Sequence, residues 1–352
     1  MLLLRAGAFC ALVSAREGAT PDETARFLAG LPVRDTPLEP FSHDTAWVDH
    51  ATEFDKAWAE LNARQMSKIR AWAPEFLGES YTSRGPLFYF FSGPDILYAQ
   101  AFFPNAGTYV LAGLEPIGAV PDIARLQHDA LAYGLGNLRK SLNSVLNFSF
   151  FITKDMKVDL TQNQLSGTLP ILYVFLARAG CRIDNVELIG IDKEGAITSG
   201  KASARGVKIT FFGPGGAEQK MYYFDTNLAN EGIRSNPGFI KFCEQLGTGR
   251  SFVKAASFLM HMKDFTTARD FLLTHSAAIV QDDSGIPLKD FDTSKWLLRF
   301  LGSYPGPIEI FKQFYQPDMD VAYKSSRAPA LPFGFGYRWH PRESSLILAT
   351  PR

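Results

Sequence analysis

The sequence predicts an α/β fold, or its α+β variant, in which a mixed β-sheet is flanked by helices and preceded by a helical N-terminal region. Residues 87–113 contain a strand-like run, a tight turn, a helical segment and a second strand-like run, which is typical of a parallel βαβ unit. Residues 186–225 contain three strand-like runs separated by glycine-rich turns, which is typical of an antiparallel meander. Both kinds of strand pairing in one chain predict a mixed sheet.

The composition is that of a globular protein and argues against several classes. Of the 352 residues, 46% are hydrophobic and 20% are charged, which is close to the average for folded domains. The 36 basic residues balance the 36 acidic residues. No nucleic-acid partner is therefore expected, because phosphate binding requires a basic surplus. Three cysteines, Cys10, Cys181 and Cys243, are too few for a disulfide framework.

Residues 1–15 are predicted to be a signal peptide, because they form an apolar run that ends at Ala15 with the small residues that a signal peptidase recognises. Two features depart from that pattern: a charged segment is missing at the start, and Arg5 interrupts the apolar run. A buried first helix or strand is the alternative. Export predicts a periplasmic or extracellular location, and a chain that is not exported is expected in the cytoplasm. The run is too short to span a bilayer, so no stable membrane insertion is expected.

Residues 20–80 are predicted to form the helical N-terminal region. Thr20 is expected to cap a short helix, with Glu23 in position to close a capping box. From 44 to 73, apolar residues recur mostly at steps of three and four, which predicts a long amphipathic helix. Pro74 is expected to end that helix, because proline lacks the N–H group that a helix interior uses.

Residues 81–352 are predicted to form the α/β core as one globular unit. Continuous apolar runs bounded by turn residues indicate strands, and apolar residues at helical spacing indicate helices. Strands are predicted at 87–91, 108–113, 186–192, 206–212, 219–225, 277–281 and 345–350. Helices are predicted at 96–102, 122–147, 164–179, 236–246, 252–262 and 265–275, with shorter helical pieces at 296–301 and 307–315.

No motif in the sequence requires a cofactor or carries a resemblance to a characterised family. Residues 195–202 match a phosphate-binding loop except that Ala202 replaces the Ser or Thr that ligates magnesium. A strand is predicted to follow this segment, whereas a phosphate-binding loop opens a helix, so a plain hairpin loop is expected. The GxSxG, HExxH and GxGxxG signatures are missing from the sequence, which removes the usual evidence for lipase-type, zinc-protease and dinucleotide-binding activity.

Acidic residues fall at the carboxyl ends of four predicted strands. They are Asp95, Glu115, Asp225, Asp282 and Asp283. In α/β sheets this edge is where ligands bind. The candidate catalytic residues, in order of preference, are Asp282 and Asp283, then Asp95, then Glu115. Gathered carboxylates hold a divalent cation or act as an acid and base pair; a purely structural role in turns and helix caps is the alternative.

A second candidate site is the sequence Arg338, Trp339 and His340 in a segment without regular structure. Such a polar, basic and aromatic group is a reasonable lining for a substrate pocket. Arg338 is suited to binding a carboxylate or phosphate with two parallel hydrogen bonds. The alternative is surface packing of the arginine against the tryptophan ring.

Two functions are consistent with these features. The first is an exported, non-catalytic binding or assembly module in which the acids are caps and the aromatic residues are packing. The alternative is a hydrolase-like enzyme that uses the carboxylate cluster, with or without a divalent metal, on an envelope or extracellular substrate. A small molecule or an envelope component is the expected partner.

Overall fold

A computed structural model describes residues 18–126, 128–148, 150, 165–198 and 202–352. The predicted signal peptide at 1–15 lies outside the described residues, as do positions 199–201 of the segment that partly matches a phosphate-binding loop. Within the described ranges the prediction of a mixed sheet with flanking helices is confirmed.

Ten strands of the described chain form one mixed sheet in the order β4-β3-β5-β6-β2-β1-β7-β8-β10-β9. They are β1 Pro86–Tyr89, β2 Thr108–Gly113, β3 Arg182–Ile191, β4 Ile197–Thr198, β5 Ala204–Phe212, β6 Glu218–Asp225, β7 Gly249–Val253, β8 Ser276–Gln281, β9 Trp296–Gly302 and β10 Ser345–Pro351. The five central strands, β6, β2, β1, β7 and β8, are parallel. The strands on both sides of them pair antiparallel.

The helices cover both faces of the sheet. They are α1 Pro21–Leu28, α2 Thr45–Leu61, α3 Ser67–Leu77, α4 Glu79–Thr82, α5 Ile96–Phe102, α6 His128–Phe148, α7 Leu169–Arg178, α8 Asn230–Ser235, α9 Gly238–Gln245, α10 Thr266–His275 and α11 Pro317–Ser326. Of the helices in the described ranges, none combines the length and apolar character that crossing a membrane requires.

Two apolar cores lie on opposite faces of the sheet, because successive side chains of a strand point to opposite sides. Leu87 and Tyr89 of β1 join the core that contains α1 to α3 and α5 to α7. Phe88 of β1 and Phe90 just beyond it join the core that contains α8 to α10. The central strands are therefore covered on both faces, which explains the continuous apolar runs of β1 and β2.

The N-terminal helices belong to the first of these cores. The predicted capping box is present: Glu23 N–H donates to the Thr20 hydroxyl, and Thr20 N–H donates to the Glu23 carboxylate. The predicted long helix is formed by α2 and α3, which a π-helical turn at Asn62–Met66 connects. The prediction that Pro74 ends it is wrong, because α3 continues through Pro74 to Leu77. Trp72 is buried before the proline and Leu77 after it, and the burial of that face outweighs the loss of one backbone hydrogen bond.

Two of the predicted helical segments lie wholly or partly in strands. The helix predicted at 252–262 is wrong, because residues 252 and 253 end β7, in which every residue is buried, and the rest of the segment is loop with one 3-10 turn at Leu259–His261. The helical piece predicted at 296–301 is also wrong, because Trp296–Gly302 forms β9. Short apolar runs do not distinguish a buried strand from a helix, and in both cases pairing with distant strands decides the outcome. Helix α11 was not predicted.

Candidate functional site

The five parallel strands end at one edge of the sheet, and the chain leaves β1 and β7 in opposite directions there. From β1 it runs through α5 to β2 on one side, and from β7 it runs through α10 to β8 on the other side. β1 and β7 are neighbours in the sheet, so a crevice opens between their carboxyl ends. Ligands of open α/β sheets bind at such a topological switch point.

A cavity of about 350 Å³ lies at this point, and its volume is within the range of small-molecule sites. Its walls come mainly from the turns that follow β1, β2, β6 and β7. Polar and charged side chains on these walls include Tyr89, Asp95, Glu115, Asn227, Lys254 and Tyr337. Apolar side chains include Phe91, Leu228, Leu259 and Phe265. We call this cavity the switch-point pocket.

A buried ion pair joins the turns after β1 and β7. Lys254 Nζ lies 2.9 Å from Asp95 Oδ2, and the two side chains are 1% and 3% exposed. The same carboxylate oxygen accepts a hydrogen bond of 2.9 Å from the Tyr89 hydroxyl. Asp95 is also the N-cap of α5, where its Oδ1 accepts from the Tyr98 N–H at 3.2 Å. Both oxygens of the buried carboxylate therefore have hydrogen-bond donors.

Burial and the charge of Lys254 have opposite effects on the pKa of Asp95. Burial raises the pKa of the Asp95 carboxyl group, and the charge of Lys254, together with the hydrogen bonds, acts in the opposite direction. The Lys254 ammonium also lies 3.9 Å from the centroid of the Tyr98 ring, which is a cation–π contact. Removing one member of such a pair leaves an uncompensated charge in a site that excludes water.

Glu115 lies two residues after the end of β2 and above two glycines. A Cβ atom at Gly113 would clash with Glu115 Oε2, and one at Gly93 would lie 3.6 Å from it. The Tyr223 hydroxyl on β6 donates to the Glu115 carbonyl oxygen at 2.9 Å and lies 3.3 Å from Oε2. The structure thus brings Asp95 and Glu115, two of the predicted site residues, onto the walls of one pocket.

The backbone around the pocket is strained. Phe91, after β1, has a φ of +59°, and Ala255 and Ser257, after β7, each have a φ of +53°. These are left-handed conformations that residues with a Cβ atom rarely adopt. Strain of this kind persists only where surrounding contacts enforce it, and it concentrates at functional sites.

Hydrogen bonds between its backbone and two side chains hold the loop after β7 in this conformation. Asp282 Oδ2 accepts from the Ala255 N–H at 3.0 Å. The Tyr337 hydroxyl accepts from the Ser257 N–H at 3.1 Å and donates to the Ala255 carbonyl oxygen at 2.9 Å. Asp282 and Tyr337 therefore position the loop that carries Lys254.

Asp282, one of the two preferred catalytic candidates, lies behind the pocket wall. It is 1% exposed, and its Oδ1 accepts from the Ser284 N–H at 3.2 Å and the Ser284 hydroxyl at 2.5 Å. Gly336, at a φ of +70°, passes so close to its carboxylate that a Cβ atom would clash with it. Burial raises the pKa of Asp282, and these hydrogen bonds oppose that effect. The structure gives this side chain a positioning role.

Asp283, the other preferred candidate, also lies outside the residues that line the pocket. It is 4% exposed, and its Oδ2 has no hydrogen-bond partner among the described residues. Burial, followed by the charge of Asp282, raises the pKa of Asp283 to about 8. The adjacent carboxylates therefore do not face the cavity together with Asp95 and Glu115.

The predicted substrate-binding residues Arg338, Trp339 and His340 are not part of the pocket lining either. The Arg338 guanidinium donates to the carbonyl oxygens of Gly306 and Pro307 at 3.2 and 2.9 Å. The Trp339 ring packs against the His340 ring, with centroids 3.8 Å apart. The Arg338 contacts join two segments of the C-terminal region, whereas the Trp339 ring also packs against Phe148 of α6 and lies beneath Arg64.

Sequence reasoning missed several residues of the pocket, and above all Lys254. The sequence does mark this position: Lys254 is a charged residue directly after β7, just as the predicted acids come after the ends of other strands. The helix wrongly predicted across 252–262 concealed that strand end. Tyr89 was missed because it lies within a strand, where a tyrosine is expected to be core packing. Tyr223, which contacts Glu115, was missed for the same reason.

In the described ranges, no group of three or more His, Cys, Asp or Glu side chains is arranged to hold a metal ion. Comparisons of the chain with protein-family models, curated proteins and solved structures found no match. The fold and the site therefore define the class by themselves: an α/β protein with a doubly wound parallel centre and a pocket at its switch point.

Proposed function

We propose that this protein binds a small organic molecule in the switch-point pocket. The observation that supports this most strongly is the coincidence of three features at one place: the cavity of about 350 Å³, the buried Lys254 and Asp95 pair on its wall, and the topological switch point. Pockets that combine apolar walls with a few fixed polar groups are the usual form of small-molecule sites. The proposal corresponds to a binding module.

The lining indicates what such a ligand contains. Phe91 and Phe265 form an edge-to-face pair with ring centroids 5.7 Å apart, and with Leu228 they provide surface for an apolar or flat aromatic body. Glu115 and Lys254 provide groups that orient polar substituents. A ligand with one flat apolar part and one hydrogen-bonding part would match the apolar and the polar sides of this lining.

Substitution of Leu114 with tryptophan is expected to block the pocket without unfolding the protein. Leu114 lines the cavity yet is 53% exposed, so a larger side chain has room outside the core. Leu188, which is 58% exposed on β3, provides the matched control Leu188→Trp. A library of small organic fragments, screened by ligand-observed NMR, should give hits with the wild type and with Leu188→Trp. Leu114→Trp should bind them about tenfold more weakly or not at all. Equal binding by all three proteins contradicts the proposal.

A hydrolase-like activity is the second candidate, supported by the presence of two carboxylates, Asp95 and Glu115, on one pocket. In that case Glu115 is the candidate general base, because its carboxylate lies on the pocket wall two residues after β2. Chromogenic esters, phosphoesters and glycosides are the substrates to test. Where turnover occurs, Glu115→Gln should lower it by about a hundredfold or more. Turnover that is unchanged in Glu115→Gln, or absent with every substrate, counts against this candidate.

Export of the protein stays a prediction, because residues 1–15 lie outside the described residues. If the protein is exported, the proposed ligand is an extracellular or envelope compound. An assembly role in the envelope is the corresponding form of the binding-module hypothesis.

A further inference from the structure

The position of Glu115 resembles that of a ribose-binding acid. β1, α5 and β2 follow one another in the chain, β1 and β2 are parallel neighbours, and Glu115 comes two residues after β2. In doubly wound sheets that bind nucleotides, an acid near the end of this second strand accepts hydrogen bonds from the ribose hydroxyls. A carboxylate is suited to this task because its two oxygens accept from two adjacent hydroxyls at once. Gly93 and Gly113 leave room for the Glu115 carboxylate itself, because a Cβ atom at Gly113 would clash with Glu115 Oε2.

The pocket also has a surface against which a nucleobase can pack. Phe91 and Phe265 stand edge to face on one wall, and a flat heteroaromatic ring packs well against such surfaces. Thr226 and Asn227, directly after β6, bring a hydroxyl group and an amide group to the neighbouring wall. Groups of these types hydrogen-bond the edge of a base.

The turn after β1 is not built to hold a phosphate. The N–H groups of Ser92 and Gly93 both donate to the Ala112 carbonyl oxygen, at 3.0 and 3.3 Å, and Pro94 has no N–H group. The Tyr98 N–H of α5 donates to the Asp95 carboxylate. In phosphate-binding turns these amides point at the anion instead. Here the protein's own carboxylate occupies that position.

The charges on the pocket walls also argue against a phosphate-bearing ligand. The lining residues include two acids, Asp95 and Glu115, and one base, Lys254, and Lys254 is paired with Asp95 at 2.9 Å. A phosphate group brought into this cavity would lie beside two carboxylates, those of Asp95 and Glu115. A ligand that is neutral or positively charged would not be repelled.

From these observations we propose that the ligand of the switch-point pocket is a ribonucleoside whose 5′ substituent carries no phosphate and is neutral or cationic. Glu115 binds its ribose hydroxyls. This inference rests on the proposed function, because it names the class of molecule that the pocket takes.

Calorimetric titration of the full chain tests it. The probes are adenosine, guanosine, cytidine, uridine, S-adenosylmethionine and S-adenosylhomocysteine, with the matching 5′-monophosphates, NAD and 2′-deoxynucleosides as contrasts. We expect at least one of the first six to bind. The 5′-phosphate and the 2′-deoxy form of the same nucleoside, which for the two S-adenosyl compounds is adenosine, should bind about tenfold more weakly than that probe or worse, since the deoxy form loses a contact and the phosphate meets a repulsive charge. The deoxy contrast uses wild-type protein and so does not depend on any variant folding.

Glu115→Gln should weaken the binding of the same ligand by about tenfold or more. Glu218→Gln is the control and should leave binding unchanged, because Glu218 is exposed at the start of β6, on the opposite edge of the sheet. A phosphate that binds as well as its nucleoside, or a deoxy analogue that binds equally, overturns the inference. If no nucleoside binds but organic fragments still bind in a way that Leu114→Trp abolishes, this inference fails and the proposed function stands. If neither fragments nor nucleosides bind, both fail.

Discussion

Replacing Lys254 with methionine is expected to lower the free energy of unfolding by about 3–5 kcal/mol at neutral pH, the range measured when one member of a buried ion pair is removed. The methionine has a similar length but no charge, so Asp95 is left as a buried carboxylate with the Tyr89 hydroxyl and the Tyr98 N–H as its donors. The turns after β1 and β7 also lose the contact that joins them at the pocket.

The loss should depend on pH in a defined direction. Burial raises the pKa of Asp95, and in Lys254→Met the opposing effect of the ammonium is gone. A carboxyl group whose folded pKa lies above its unfolded pKa keeps the folded state more stable at low pH, and stability falls as pH rises toward the folded pKa. The difference between Lys254→Met and wild type should therefore be smaller near pH 5 than near pH 8.

Urea denaturation at the two pH values measures both effects. Lys208→Met is the matched control, because Lys208 pairs with Glu187 at 2.7 Å in a more exposed position, where an ion pair contributes about 1 kcal/mol or less. The double variant Lys254→Met with Asp95→Asn should recover part of the lost stability, since it removes the stranded charge. A Lys254→Met protein that is as stable as Lys208→Met would show that the pair does not hold the pocket together.

Local signals in the sequence were sufficient to predict the region around β1 and β2. The predicted helix 96–102 and the predicted strand 108–113 have the same bounds in the structure, because turn residues bracket each of them on both sides. The acids that follow these strands, Asp95 and Glu115, lie on one pocket because parallel strands end at the same edge. For these residues the step from pattern to site needed no knowledge of distant pairing.

The other half of the pocket depends on contacts between distant parts of the chain. β7 follows β6 in sequence but pairs with β1, and the sequence contains no local mark of that crossover. The same limit applies to Asp282, because the residues beside its carboxylate, Gly336 and Ala255, are distant from it in the sequence. Adjacent acids after a strand predict a cluster, whereas burial and hydrogen bonding decide whether the cluster faces a ligand or the backbone.

Asp283 is expected to make the protein less stable as pH rises from about 5 to 8. Its pKa in the folded protein is about 8, raised mainly by burial and then by the charge of Asp282, and an unfolded chain would titrate near the ordinary value for aspartate. Between these values the folded state keeps a proton that the unfolded chain releases. The free energy of unfolding then falls by up to about 1.4 kcal/mol for each pH unit, or about 2–4 kcal/mol over this range.

Asp283→Asn should remove most of that slope, because asparagine does not titrate. Denaturation curves of the wild type and the variant at four pH values between about 5 and 8 give the two slopes, and their difference isolates the contribution of Asp283. Asp292→Asn is the control: Asp292 is exposed, and hydrogen bonds from Ser294 lower its pKa, so its removal should leave the slope of the wild type unchanged over this range. Identical slopes for wild type and Asp283→Asn would mean that the buried carboxyl group does not hold its proton in the folded protein. A steep slope that Asp283→Asn abolishes would instead establish a buried carboxylic acid behind the switch-point pocket, one that keeps its proton at neutral pH mainly because it is buried and then because Asp282 lies beside it.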